Sequence, residues 1–231
     1  MKGEKEKALN DFVKKITSNY KDFITHIVLF GSVARGDFTK ESDIDVLVVT
    51  LKNGVLNEKL KEFAVNTLIE RGELIQVFTV HLNDYLYPSD YFIYHIKENG
   101  KEVYKMKKEE LKEKMSLNYQ KLADDYINGA KKNFEMGEYR IAVDTSYNAC
   151  ELLIKSMLIK EMDTLPKTHG GLLFKFSEMF VKTGKIPKEI VAELYDGLNK
   201  RNDARYVYDK EIKRQDAEKI IDLYEKLKKL I

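Results

Sequence analysis

The sequence predicts an α+β protein, in which a mixed β-sheet flanked by helices is followed by an all-α antiparallel helical bundle. Short β-branched runs alternate with helical periodicity over residues 1–106. Long amphipathic stretches fill residues 107–231, and a run of lysines and acidic residues over 105–114 separates the two patterns. We therefore expect two domains, 1–106 and 107–231.

The elements of the first half follow from periodicity and from turn residues. The run 46–49 is apolar on both faces of its strand, which is typical of a central strand. Gly72 is the expected end of the helix before it. In order, we expect a helix at 4–20, strands at 24–30 and 43–50, a helix at 56–71, a strand at 74–80, short helices around Pro88 within 83–99, and a last strand at 101–104.

The pattern of the second half predicts helices joined by short loops. Gly137, Pro166, Gly184 and Pro187 punctuate the pattern between the helical stretches. Five helices with short connections predict an antiparallel bundle. We expect them at 111–135, 139–162, 172–183, 188–200 and 215–230.

A glycine-flanked turn followed by two aspartates is the most informative motif. Gly31 and Gly36 let the backbone turn tightly and approach a ligand closely. Ser32 stands where a short helix could begin and face an anion. Asp43 and Asp45 are two apart on a predicted strand, so they would share a face and could hold a divalent cation that carries a nucleoside triphosphate. The alternative is an ordinary glycine-rich turn with two solvated aspartates.

The Gly-Ser pair, ten further residues and Asp-x-Asp together resemble the signature of DNA polymerase β-like nucleotidyltransferases, in particular the minimal, kanamycin nucleotidyltransferase-like branch. The resemblance implies that Asp43 and Asp45 are catalytic and bind Mg²⁺, as one ion or a two-metal site. It implies that Gly31, Ser32 and Arg35 bind the nucleotide phosphates. The implied reaction transfers a nucleoside monophosphate, AMP from ATP, to a hydroxyl acceptor. For Arg35 the alternative is an ion pair that braces the loop.

The third catalytic position departs from the family pattern. The family normally supplies a third carboxylate from the neighbouring strand, and the residue that aligns there is Gln76. Glutamine offers a carbonyl oxygen but cannot accept a proton near neutral pH. Three alternatives stay open: slow transfer, substitution by Glu73 or another acid, and nucleotide binding without turnover.

The second half resembles the HEPN domain (higher eukaryotes and prokaryotes nucleotide-binding). The resemblance lies in two long amphipathic helices, the pair Thr168-His169 before the third helix, and a motif near residue 200. HEPN ribonucleases carry Arg, four residues, His, any residue and Tyr. Arg201 and Tyr208 match this register, whereas Tyr206 occupies the histidine position. A phenol with a pKa of about 10 is a poor acid–base group at neutral pH, which disfavours RNA cleavage.

The pairing of the two domains implies a specific acceptor. In two-protein toxin–antitoxin systems the minimal nucleotidyltransferase transfers adenylate to the HEPN tyrosine, which corresponds to Tyr208 here. A small-molecule hydroxyl is the alternative acceptor. A non-catalytic regulatory module with a HEPN dimerisation domain and a HEPN ribonuclease are the competing functions. For Arg201 and its neighbours, buried polar links between helices, with Tyr206 and Tyr208 filling the bundle edge, are an equal alternative to ligand binding.

The composition of the sequence indicates which binding partners and which compartment to expect. A formal net charge of +2 gives no indication of nucleic-acid binding. A lone cysteine, Cys150, precludes an intrachain disulfide and fits a reducing compartment. Residues 1–7 lack the apolar core of a signal peptide, and no apolar run approaches the ~20 residues that span a bilayer. We expect a cytoplasmic protein, with a homodimer through the bundle as a family-level expectation. His169 has no nearby partner that would suggest zinc.

Overall fold

A computed structural model describes residues 2–52, 54 and 56–231, with backbone alone for Lys2. Met1, the first residue of the charged N-terminal segment, lies outside the described residues, as do Asn53 and Val55. The chain divides into two compact units, Met1–Leu111 and Lys112–Ile231. The predicted domain boundary after residue 106 stays a prediction.

Among the described residues, the first unit contains four strands and five helices. Every element predicted from the sequence is present, with small shifts at the ends. They are α1 (Lys2–Tyr20), β1 (Ile24–Phe30), α2 (Gly31–Arg35), β2 (Ile44–Thr50), α3 (Asn57–Arg71), β3 (Ile75–His81), α4 (Leu82–Leu86), α5 (Tyr91–Asn99) and β4 (Lys101–Lys105). Gly72 ends α3 in the left-handed conformation, as predicted.

The four strands form a mixed sheet in the order β3-β2-β1-β4. β1 is antiparallel to β2 and β4, whereas β2 is parallel to β3. Alternate residues on each strand face opposite sides, so each central strand buries two sets of apolar side chains. Ile27, Val46 and Ile75 pack with α1 and α3 on one face. On the other face, α4 and α5 cover only part of the sheet.

The second unit is a helical bundle around one central helix. Its helices are α6 (Lys108–Glu135), α7 (Tyr139–Glu161), α8 (His169–Phe176), which continues as a π-helical segment (Ser177–Val181), α9 (Lys188–Tyr206) and α10 (Arg214–Lys228). Most residues of α7 are buried, and it packs against α8, α9 and α10. Cys150 is fully buried within it, as expected of a small core residue. The α+β class predicted from the sequence is confirmed.

Two helix ends differ from the prediction. α8 begins three residues early because Thr168 caps it, its hydroxyl accepting a hydrogen bond from the Gly171 N–H at 3.1 Å. α9 continues to Tyr206 instead of ending at residue 200, because Arg201 and Ala204 face the core and extend its buried side. Among the described residues, none of the helices combines the length and apolar character needed to cross a bilayer.

Candidate active site

The strand register brings the predicted site residues to one end of the sheet. Asp45 pairs with Phe30 across the antiparallel ladder and with Gln76 across the parallel ladder. Residues paired in this way project from the same face of a sheet. Asp45 and Gln76 therefore lie side by side on one face, and the turn that begins at Gly31 follows directly after Phe30.

Two constraints require glycine at position 31. Its φ of 71° lies in the left-handed region that other residues rarely adopt. A β-carbon there would also overlap Oδ2 of Asp45. The short helix α2 can begin against this carboxylate only because Gly31 has no side chain. Half-buried Ser32 follows, and Gly36 ends the helix by donating its N–H to the Ser32 carbonyl oxygen at 2.9 Å.

Asp43 lies just before the strand rather than on it. The expectation of a strand that starts at 43 is wrong by one residue, because β2 begins at Ile44, whose N–H donates to the Leu74 carbonyl oxygen at 2.9 Å. Asp43 is half buried, and its negative charge helps to raise the pKa of Asp45. The two carboxylates therefore repel each other although only one is on the strand.

A buried lysine that sequence reasoning missed holds the loop in front of Asp43. Lys5 of α1 is 2% exposed, and its Nζ donates to the carbonyl oxygens of Ser42 at 2.7 Å and Lys40 at 3.3 Å. Its third contact is the Glu73 carboxylate at 2.6 Å. All three ammonium protons thus have acceptors, and α1 is tied to the loop and to the residues that precede β3.

The Lys5–Glu73 contact also bears on whether Glu73 or Gln76 occupies the third catalytic position. Glu73 is engaged by Lys5 and precedes β3, whereas Gln76 is the residue paired with Asp45. A signal for Lys5 was present in the sequence: it lies three and four residues before Ala8 and Leu9, on the apolar stripe of its helix. A lysine at a buried helical position needs acceptors within reach of its ammonium group.

Burial is the main reason that the pKa of Asp45 is raised, and the charge of Asp43 adds to it. Arg35 acts in the opposite direction. Its guanidinium Nε lies 3.1 Å from Oδ2 of Asp37, and both side chains are largely exposed. The contact with Asp37 therefore supports the alternative in which Arg35 braces the loop. The positive charge of Arg35 also favours the ionised form of Asp45.

The donor set fits a hard divalent cation. Two carboxylates and the carboxamide oxygen of Gln76 are the oxygen ligands that Mg²⁺ prefers, and a cation between the carboxylates would offset their repulsion. Within the described part of the chain, no group of three or more His, Cys, Asp or Glu side chains could hold a metal. Gln76, which pairs with Asp45, could offer its amide oxygen as a further ligand.

In the second unit, Arg201 is buried in an ion-pair cluster. Its Nε lies 3.2 Å from Oδ1 of Asp144 on α7, and its Nη1 donates to Oδ1 of Asn202 at 3.2 Å. Arg205 donates to Oδ2 of the same aspartate at 3.1 Å. The interpretation of Arg201 as a polar link between helices is thus supported by its contacts.

The two motif tyrosines are exposed, so the interpretation that they fill the bundle edge is wrong. Tyr206 is 70% exposed with its ring near the Arg201 guanidinium, and Tyr208 is 94% exposed. Arg140, which sequence reasoning missed, holds this turn. Its guanidinium donates to the carbonyl oxygens of Ala204 at 2.6 Å and Val207 at 3.1 Å. The Tyr208 hydroxyl is therefore presented to solvent on a fixed turn.

His169 is not part of this cluster of Arg201 contacts. Its Nδ1 shares a short hydrogen bond with the buried Glu151 carboxylate of α7. Thr168, rather than His169, provides the helix cap. His169, the first residue of α8, thus contacts a buried carboxylate of the neighbouring helix.

Two family models match the chain and together cover most of it. The model for the HEPN domain matches residues 119–231, and the model described as polymerase beta, nucleotidyltransferase matches residues 12–109. The motif from Gly31 to Asp45 lies inside the second match, and Arg201 to Tyr208 lie inside the first.

Three relatives from Methanocaldococcus jannaschii match parts of this chain. Two carry the name "Putative protein adenylyltransferase": one is 57% identical over 19% of this chain and 44% of its own length, the other 43% identical over 23% and 54%. The chain thus spans about half the length of these two relatives. A third, named "Putative toxin", is 30% identical over 46% of this chain and 77% of its own length.

One solved structure also matches, a nucleotidyltransferase-like protein from Exiguobacterium sibiricum 255-15. It is 14% identical, with a TM-score of 0.37, over 95% of this chain and 74% of that one. A TM-score of 0.37 is too low to establish a common fold.

Proposed function

Because this chain belongs to the HEPN family and carries a polymerase β-type nucleotidyltransferase domain in front of its HEPN domain, we propose that it is a Mg²⁺-dependent adenylyltransferase. It would transfer AMP from ATP to a hydroxyl, and the acceptor that we propose is Tyr208 of the chain itself. The names of the two relatives called putative protein adenylyltransferases support adenylate as the transferred group.

The observation that carries the proposal is the contact between the Gly31 turn and Asp45. The turn at Gly31, where an added β-carbon would overlap Asp45, lies directly against that half-buried carboxylate, with a second carboxylate beside it. In the proposed function, the backbone of this turn would bind phosphate next to a carboxylate that would bind the metal. That juxtaposition is what binding of a metal–triphosphate requires.

Each residue would have a distinct task in the reaction. Asp43 and Asp45 would hold Mg²⁺, which when bound neutralises the charge that develops on the phosphates. Ser32 and the neighbouring N–H groups would hold the triphosphate, and Arg35 would add a positive charge.

The acceptor oxygen would then form a bond to the α-phosphorus. The bond from that phosphorus to the oxygen bridging to the β-phosphate would break, and pyrophosphate would leave with the bonding electrons. Gln76 cannot take the acceptor proton, so the proton would pass to solvent.

The exposure of Tyr208 supports it as the acceptor. A hydroxyl that is 94% exposed at the end of a turn held by Arg140 can enter an active site without local unfolding. The transfer could take place within one molecule or between two copies. A homodimer through the bundle stays a prediction.

The experiment that tests the proposal measures label transfer from α-labelled ATP with Mg²⁺. We expect the wild type to release pyrophosphate and to retain the label, and Asp43→Asn and Asp45→Asn each to lose both. Glu41→Gln is the matched control, because it removes an exposed carboxylate of the same loop. Full activity in both Asp43 and Asp45 variants would overturn the metal assignment.

Gln76 favours a second candidate, nucleotide binding without turnover. Its carboxamide stands where the family has a carboxylate, and it is exposed next to Asp45. In that case the wild type would bind Mg²⁺–ATP, and no acceptor, including Tyr208, would elicit pyrophosphate release.

A further inference from the structure

Three phenylalanines form a closed aromatic cluster at the edge of the candidate site. Phe30 ends β1, Phe78 lies in β3, and Phe92 lies in the first turn of α5. Their ring centroids are 5.5 Å (Phe30–Phe78), 5.6 Å (Phe30–Phe92) and 5.6 Å (Phe78–Phe92) apart, each pair edge to face. We call these three residues the Phe triad.

The strand register places the Phe triad on the same sheet face as the candidate catalytic residues. Phe30 pairs directly with Asp45, and Phe78 follows Gln76 by two residues on the same strand. Two residues of strand correspond to about 7 Å. Phe30 is therefore the direct neighbour of Asp45, and Phe78 lies about 7 Å along its strand from Gln76, the other residue paired with Asp45.

The Phe triad is less buried than a core cluster would be. Towards the other end of this face, Leu82 and Ile96 from α4 and α5 are each 1% exposed. Phe92, in contrast, is 44% exposed, and Phe30 and Phe78 are half buried. Asp90 fixes the position of Phe92, because its Oδ1 accepts the Phe92 N–H at 2.6 Å. The open aromatic surface thus lies between the covered part of the face and Asp45.

We propose that the Phe triad is the binding surface for the nucleobase of the donor nucleotide. The inference rests on the proposed function, since the Gly31 turn and Asp45 would place the triphosphate end of the same ligand. A flat base gains stacking and edge contacts from an exposed phenylalanine, and every base has a π-face to offer. The Phe triad therefore supplies affinity for a nucleoside over bare phosphate.

Equilibrium binding by calorimetry to the full chain with Mg²⁺ tests this inference. The two probes are ATP with a methylene bridge between its α- and β-phosphates, which cannot be cleaved there, and inorganic tripolyphosphate. We expect the wild type to prefer the ATP analogue. In Phe92→Ala we expect the analogue to bind about tenfold more weakly, and tripolyphosphate to bind unchanged.

Three further variants separate stacking from packing. Phe92→Leu keeps the apolar volume and should lose affinity like the alanine variant, whereas Phe92→Trp should retain it. The control variant is Tyr91→Ala, which removes the 77% exposed ring that precedes Phe92 on α5. Among the aromatic contacts of the described residues, this ring contacts only Tyr94 and His95. The variant should therefore bind the ATP analogue like the wild type.

The outcomes distinguish this inference from the proposed function. Equal affinity of the wild type and Phe92→Leu for the ATP analogue would overturn the base-binding role. If the Phe92→Ala variant bound the ATP analogue as tightly as the wild type but labelled Tyr208 more slowly, the base-binding role would also be overturned. The surface would then be assigned to the acceptor ring. Equal affinity of the wild type for tripolyphosphate and for the ATP analogue would refute only the base-binding role of the Phe triad. A wild type that binds neither probe would refute the proposed function as well.

Discussion

At the scale of single residues, Gly31 connects the backbone of the turn to the chemistry of the site. Its motif and its permissive backbone were readable from the sequence, but its contact with Asp45 was not. That contact depends on the pairing of Phe30 with Asp45 across two strands, and a pattern of residues along one chain does not encode such a distance. Gln76 was predictable as the third position only through the resemblance to the family pattern, and its pairing with Asp45 came from the structure.

Gly31→Ala should abolish AMP transfer, because the new methyl group would displace the Asp45 carboxylate. Gly72→Ala is the matched control, since φ is 66° there and nothing lies within 4 Å of the added carbon. Both substitutions should lower the free energy of unfolding by about 1 kcal/mol through left-handed strain, measured by urea denaturation. Equal retention of label transfer in the two variants would contradict the proposed geometry.

Gln76→Asp restores the carboxylate that the family normally has. If the wild type is slow for want of a base, this variant should raise the rate of pyrophosphate release by about 10²–10⁴-fold, the range expected for one general base. The added charge beside Asp45 should lower the melting temperature of the metal-free protein, and Mg²⁺ should recover it. Gln76→Asn is the control for size and should not be faster than the wild type. A rate no higher than that of the wild type would show that the missing carboxylate is not limiting.

At the scale of elements, the sequence was a good guide to which segments are helices and strands, and a poorer one to their ends. Two adjacent glycines, Gly170 and Gly171, disfavour a helix, yet Thr168 caps a helix that runs through them. The Arg201 motif begins inside α9, because Arg201 is a buried part of that helix, and Tyr208 lies on the turn that follows. In both cases a tertiary or capping contact outweighed the local preference of the residues.

The tie between α1, the loop before Asp43 and the start of β3 depends on Lys5. Lys5→Met should lower the free energy of unfolding by about 3 kcal/mol, because it leaves the Glu73 carboxylate without its buried partner. Lys15→Met breaks the exposed pair with Glu70, also 2.6 Å long, and should cost less than about 1 kcal/mol. Urea denaturation measures both. Similar losses in the two variants would show that the Lys5 contacts are not a structural tie.

At the scale of the whole molecule, the sequence predicted a nucleotidyltransferase domain followed by a HEPN domain, and the family matches show both in that order. Each half departs from its family pattern at one position, Gln76 in the first and Tyr206 in the second. Both departures remove a proton-transfer group and leave in place the residues that we propose bind phosphate. A transferase that modifies an exposed tyrosine, rather than a ribonuclease, is the function most consistent with that combination.

The most direct test of this account is intact-mass analysis of the full chain after incubation with ATP and Mg²⁺. The account predicts one or more added adenylates on the wild type and on Tyr206→Phe, and none on Tyr208→Phe or Asp45→Asn. Peptide mapping should place the modification on Tyr208. An unmodified wild type, or an adduct that persists in Tyr208→Phe, would contradict the central claim that this chain adenylylates its own HEPN tyrosine.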